Sequence, residues 1–368
     1  MDKTRESSNL DFLRASAVSL VLIAHLGIFF GYADRPGFNV RALGVLGVLF
    51  FFVHTSLVLM FSLQRQDRKF GAHARFLTFV VRRIFRIYPL ALVALGFIVA
   101  FHLPSSSLKV HSLAYSAPDK LTLLSNALLA QNLVNRPSIL GVMWSLPYEM
   151  QMYVFLPALF LFARKLKTIL PLALLWVAAA ILAVAQPHLH KVPDFFWYVP
   201  CFLPGILAFR LSADRRPSVP FAVMPLVLLV LAVAYTWHFP SGHEFDLVSQ
   251  HNAVMRGMFV CLCIGLSLPF FVEVKSPAVR RVAHLIAKYS YGIYIAHYFC
   301  IWASFMALRN LPMAFQWLAF AALLVAVPAA LFHGIENPGI QAGGRVAEAL
   351  FGHRRRALAA REAEKAAA

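Results

Sequence analysis

Charge is what this sequence has least of. Asp, Glu, Lys and Arg make up 14% of its 368 residues, where a soluble globular domain carries about 25%. With 60% hydrophobic residues and a mean hydropathy of +0.69, an ordinary water-soluble fold is excluded. Cysteine is scarce too. The four present, Cys201, Cys261, Cys263 and Cys300, all lie in apolar stretches, and positions 261 and 263 point to different faces of a helix. Neither a disulfide framework nor a metal site is expected from them; they read as small apolar filler. No internal repeat or matched pair of Gly/Pro-broken segments is visible, which weighs against a transporter built from inverted repeats. A cleavable signal is not expected either, because the first apolar run is too long for an h-region and has no small-residue site close behind it.

What the chain has is a succession of apolar runs of about 20 residues, each long enough to cross a bilayer core. They predict an all-α integral membrane bundle of about ten helices, near 10–31, 43–63, 87–103, 145–163, 169–186, 196–211, 221–238, 253–273, 289–306 and 314–334. The runs 87–103 and 196–211 are the shortest or the most interrupted by polar residues. The expected organisation is one membrane domain over 1–338 and a basic, alanine-rich tail over 339–368, partly disordered and cytoplasmic.

The net charge of +18 would suit nucleic acid, but its distribution does not. If the N-terminus is cytoplasmic, 26 of the 34 Lys and Arg fall on that side, including seven between Arg65 and Arg86. The other side keeps eight, among them Arg35, Arg41, Lys109 and Lys191. This is the asymmetry of the positive-inside rule. It predicts cytoplasmic termini, membrane lipids as the surroundings, no nucleic-acid partner, and an extracytoplasmic loop over 104–143.

Ionisable groups inside apolar helices are costly, and they mark function more often than elsewhere. In "LDFLRASAVSLVLIAH", Arg14 and His25 are eleven residues apart, about three turns and ~16 Å of rise, hence on one face of a helix. In "RRIFRIYP", which closes the expected cytoplasmic loop and opens the third helix, Arg83 and Arg86 stand at i,i+3 and suit a phosphate. "WSLPYEMQMYVF" puts Pro147 and Glu149 in the first turn of a helix starting from the extracytoplasmic side. That would bring Glu149 to the depth of His25, where a carboxylate can fix an imidazole tautomer and raise its basicity. "YSYGIYIAH" places Tyr291, Tyr294 and His297 along an i,i+3 row, with His297 in mid-span.

Taken in order, "LDFLRASAVSLVLIAH", "GVLGVLFFFV", "RRIFRIYP", "WSLPYEMQMYVF", "SYGIYIAH" and "IENP" resemble acyltransferase family 3, the bacterial integral-membrane O-acyltransferases that modify envelope sugars and lipids. The resemblance spans residues 10–338. It implies a ten-helix bundle in the bacterial cytoplasmic membrane. It further implies a cytoplasmic acyl-CoA donor, acetyl-CoA foremost, no metal, and a saccharide, glycolipid or other envelope acceptor. Carried over by position, Arg14, Arg83 and Arg86 would hold the donor. His25 would be the general base or an acyl-histidine nucleophile, with Glu149 orienting it. His54, Tyr153, Tyr294 and His297 are further candidates for contact with the acceptor or support of that pair. The chain departs from the family pattern at "FFFVHTSLVL", where His54, Thr55 and Ser56 replace a leucine-serine-glycine turn. A secondary transporter or flippase for a lipid-linked or sugar substrate is the alternative from another class, and a passive envelope scaffold a third.

Overall fold

The computed structural model describes residues 7–32, 39–103, 117–186, 196–214, 216–237 and 247–351, with the side chains of 68–75 and 247–253 set aside. Of the 34 Lys and Arg weighed above, Lys3, Arg5, Arg35, Arg68, Lys69, Arg75, Lys109, Lys191 and Arg215 therefore lie outside the described side chains, as do those of the tail beyond 351.

The described residues form helices: α1 (Ser8–Phe29), α2 (Val40–Ala100), α3 (Lys120–Ala127), α4 (Leu146–Lys165), α5 (Leu170–Ala185), α6 (Val199–Asp214), α7 (Val223–Thr236), α8 (Leu247–Ser267), α9 (Pro277–Ile301) and α10 (Met313–Leu331). A final α11 covers 337–351. Among the described residues, six stretches are long and apolar enough to cross a membrane: Ser8–Phe29, Val40–Asp67, Phe76–Ala100, Gly141–Lys165, Phe196–Asp214 and Met313–Phe351. Three shorter apolar helices and α9 fall where the remaining spans were expected. The protein is an all-α multi-pass membrane bundle.

Local chemistry sets several helix starts. Ser7 caps α1 by accepting from the Leu10 N–H, and Asn39 caps α2 by accepting from Ala42, each satisfying an amide the helix cannot. The α1 start is also latched to the segment before α9. Ser7 Oγ donates to Glu273 at 2.6 Å, the Asn9 N–H donates to the same carboxylate at 3.1 Å, and Asn9 Nδ2 donates to the Phe271 carbonyl at 3.2 Å.

Helices in lipid associate mainly through close packing, because tails are as apolar as leucine. Gly47 of α2 allows this: a Cβ there would stand 2.5 Å from the Ala17 carbonyl oxygen. Gly205 of α6 does the same against α2, where a Cβ would meet Ser56 Oγ at 2.1 Å and the Val53 carbonyl at 2.4 Å. Together with Gly44 against Ala24 and Gly27 against Val40, these contacts fix the register. α1 and the first half of α2 run antiparallel, with residue numbers at equal depth summing to about 68. α9 runs parallel to α1, since Asp11 meets His284, Arg14 meets Ser290 and His25 meets His297. The Val40–Asp67 half of α2 is the inner wall, with 72% of its most apolar 18 residues buried, whereas the corresponding share in Met313–Phe351 is 11%, and Leu318 and Val325 face outward.

Two expectations are corrected. The segment 65–86 is no loop, for helical backbone runs unbroken from Val40 to Ala100. That helix is not straight, however. Leu57 and Arg86 line one cavity, yet 29 residues of straight helix would separate them by ~43 Å. The helix thus bends between these two residues while remaining helical, and Gly71, which lies in that stretch, does not end it. Second, the approach to α4 does not stay at the membrane surface. Gly141–Ser145 is a 3₁₀ turn with Val142, Met143 and Ser145 buried, preceded by buried Ile139 and Leu140. Beyond residue 338, α11 continues to 351, with Gly339 and Gly343 seated on Phe85.

Candidate active site

A cavity of about 690 Å³ opens between α1, α2, α4 and α9, within the ~300–1,000 Å³ usual for small-molecule sites. Arg14, Arg83, Arg86, Glu149, His54 and Tyr153 all line it, so six residues chosen from four separate motifs converge. Each is placed by its helix. Arg14 Nε donates to Ser290 Oγ at 2.6 Å, and Ser290 in turn donates to the Ala287 carbonyl at 2.8 Å. Arg83 lies over the Phe79 ring at 5.8 Å, with a buried Nε that has no hydrogen-bond partner. Arg86 faces the Glu336 carboxylate at 3.6 Å. Glu149 accepts from the Tyr153 hydroxyl at 2.9 Å, one turn further along α4.

His54 is 4% exposed and its Nδ1 lacks a partner. The α1–α2 register places it at the depth of Arg14, eleven residues below His25. Its position in the cavity wall therefore belongs with the arginines. It is no neighbour of His25.

His25 and His297 are not in the cavity wall. They form a dyad one helical turn beyond it, and Tyr294 sits between. Tyr294 lines the cavity, its ring centre is 6.3 Å from that of His297, and its hydroxyl bonds Ser145 Oγ at 2.8 Å and the Val142 carbonyl. Within the dyad, His25 Nδ1 is 2.9 Å from the Val21 carbonyl oxygen and 3.0 Å from His297 Nε2. His297 Nδ1 is 3.0 Å from the Ile293 carbonyl oxygen. Carbonyls only accept, so both Nδ1 atoms carry their protons in the neutral rings. His297 Nε2 is then a lone pair that shares the His25 Nδ1 proton with Val21, and the basic nitrogen of His25 is Nε2. The Tyr298 ring, 4.8 Å from that of His25, closes the other side.

The expected Glu149–His25 contact is not formed. Because the 3₁₀ turn carries the start of α4 inward, Ser145 reaches the depth of Tyr294, and Glu149 falls a further turn toward the arginines. Glu149 bonds Tyr153; the group that holds His25 is His297. Ser145 is the N-terminal cap residue of α4, though its hydroxyl serves Tyr294 and not the helix. Arg14 and His25 do share a face, since both meet α9. Sequence reading gave no role to Ser290 or Glu336, although "SYGIYIAH" and "IENP" lie in the segments that supply them. Among the described residues, no group of three or more His, Cys, Asp or Glu could hold a metal ion.

Compared with known families, residues 7–333 match the family described as an acyltransferase domain, the third of its name. The chain belongs to the acyltransferase 3 family. The protein is thus a membrane transferase of acyl groups, and the match covers nearly the whole stretch over which the resemblance runs. No curated protein and no solved structure matched the chain.

Proposed function

We propose that this acyltransferase works in the bacterial cytoplasmic membrane with both termini inside. It takes an acyl group, acetyl foremost, from cytoplasmic acyl-CoA and places it on a hydroxyl of a saccharide, glycolipid or other envelope acceptor. The observation that carries this reading is the division between two chemistries on one pair of helices. An arginine-lined cavity lies at Arg14, and a neutral imidazole with a free Nε2 lies eleven residues along the same face.

In the first region, Arg14, Arg83 and Arg86 bind the phosphates of the donor, with guanidinium forks suited to phosphate oxygens. Glu149, held by Tyr153, and Glu336 temper the charge of the cluster. The pantetheine arm follows α1 for the ~16 Å to the dyad, passing Tyr294. There His25 Nε2 takes the proton of the acceptor hydroxyl while its oxygen attacks the thioester carbonyl. The C–S bond breaks, the CoA thiolate leaves with the electron pair, and the proton on His25 returns to it. The Nδ1–H to His297 Nε2 bond holds the ring so that Nε2 faces the reaction and stabilises the imidazolium that forms. A route through acyl-His25 uses the same nitrogen as nucleophile.

The test is purified protein incubated with [¹⁴C]acetyl-CoA and a crude envelope glycan or lipid fraction. Loss of thioester coupled to label in the fraction is expected, abolished by His25→Ala while coenzyme A still binds. Label on the protein that chases to acceptor indicates the covalent route. Intact thioester with every envelope fraction tried, from protein that is folded, overturns the reading and returns attention to transport.

A further inference from the structure

Arg86 approaches a carboxylate to which the mechanism gives no more than charge balance. Glu336, from the "IENP" segment, is 1% exposed, and neither carboxylate oxygen has a hydrogen bond. Arg86 Nη2 stands 3.6 Å from Glu336 Oε1 with 28% of the Arg86 side chain exposed. Arg86 lines the cavity and Glu336 does not, so the carboxylate stands behind the guanidinium. An isolated buried carboxylate is costly and persists where a cation faces it.

The backbone around Glu336 is specialised for this approach. Phe332–Glu336 is a π-helical turn between α10 and α11, a rare form that re-aims side chains and recurs at functional sites. Directly after it, α11 is pressed onto the arginine-bearing segment of α2. A Cβ on Gly339 would stand 2.6 Å from the Phe85 carbonyl oxygen, and one on Gly343 would stand 2.6 Å from the Phe85 Cβ. Residue 85 adjoins Arg86. Glycines that remove the spacing and a π-turn that rotates Glu336 inward serve one end, the placing of a negative charge behind the second arginine of the pair.

We infer that Glu336 is a positioning residue for donor binding: its carboxylate holds the Arg86 guanidinium with its free N–H groups aimed into the cavity, against repulsion from Arg83 and Arg14. This rests on the donor-cavity reading above. Removing the carboxylate takes away a competing anion as well as an anchor. Since Glu336 is outside the cavity wall, loss of the anchor governs the outcome, and donor binding weakens.

The experiment is a double-mutant cycle on the full-length protein in nanodiscs, read by equilibrium binding of coenzyme A and by turnover with acetyl-CoA. Glu336→Gln is expected to weaken coenzyme A binding about tenfold, as a coupled pair does, and to raise donor KM while kcat at saturating donor stays near wild type. Glu336→Asp should recover part of the affinity, and Glu336→Gln should add little in an Arg86→Ala background. Unchanged or tighter binding in Glu336→Gln, with Arg86→Ala weakened, overturns this proposal and leaves the donor cavity standing. Unchanged binding in Arg86→Ala overturns the donor cavity and this proposal with it. A full, additive effect in the double variant also overturns it, assigning Glu336 to packing. If Glu336→Gln does not insert, the cycle is run with Glu336→Asp, where the same pattern is expected at smaller amplitude and unchanged affinity is again fatal.

Discussion

The cavity and the dyad share α1 and α9, with α2 and α4 adding Arg83, Arg86 and Glu149 to the cavity alone, and they could hardly differ more. In the cavity, cations outnumber the carboxylates that face them, and buried nitrogens such as Arg83 Nε lack partners. In the dyad, both Nδ1 protons are bonded and one lone pair, on His25 Nε2, is left over. Under the proposed function, the unsatisfied donors take an anionic ligand. A satisfied pair with a single open nitrogen is poised for proton transfer. The separation costs the protein nothing beyond eleven residues of helix, since the rise sets the distance between the two chemistries.

The comparison breaks first at His25. His25→Ala and His25→Gln are both expected to lower turnover by about 10² to 10⁴, the usual worth of general-base catalysis, with coenzyme A affinity near wild type. Substantial turnover in His25→Gln would make the histidine a packing group, and the dyad would lose its meaning. His54 could not replace it as acceptor base, because it lies at the depth of Arg14.

Next in size is His297. Groups that fix a working histidine's tautomer are worth about 10- to 100-fold, so His297→Ala should lower kcat by that order without changing donor KM. If donor KM rises instead and kcat holds, the two regions are not divided as described.

Arg86→Ala is the matching test for the cavity. A rise in donor KM of about tenfold is expected with kcat little altered. Raising ionic strength should shrink the difference between wild type and variant as the contribution of charge is screened. An equal fall in kcat with unchanged KM would assign Arg86 to chemistry.

Tyr294→Phe probes the divider between the regions. It removes the hydroxyl bonded to Ser145 and Val142, and a loss of about 1 kcal/mol in stability is expected from the hydrogen bond, read by thermal unfolding in detergent. No change in unfolding would mean that the 3₁₀ turn is held without it.

Much of this was legible in the residues, and the reasons are physical. Apolar runs of bilayer length locate spans because lipid leaves the backbone few other options, and the ten expected spans have counterparts. The Arg14–His25 alignment follows from helical geometry alone. The bend in α2 was not legible, because Gly71 and the basic residues around it look the same in a loop and in a bent helix. The inward start of α4 was hidden for a related reason: "GVMWS" has no periodicity that separates a surface turn from a buried one. That single miss moved Glu149 by about two turns and gave His25 the wrong partner. The correct partner, His297, was in view as a mid-span histidine, but pairing across 272 positions is a tertiary fact.

The central claim is that the arginine cavity holds the donor's phosphates while its acyl end lies at His25. Cryo-electron microscopy of the protein in nanodiscs with a non-hydrolysable thioether analogue of acetyl-CoA tests it most directly. Density for the phosphates among Arg14, Arg83 and Arg86, continuing past Tyr294 to end beside His25 Nε2, is the expected result. Phosphate density elsewhere, or an arm that turns away from α1 and ends beside His54 or Glu149, would contradict the account.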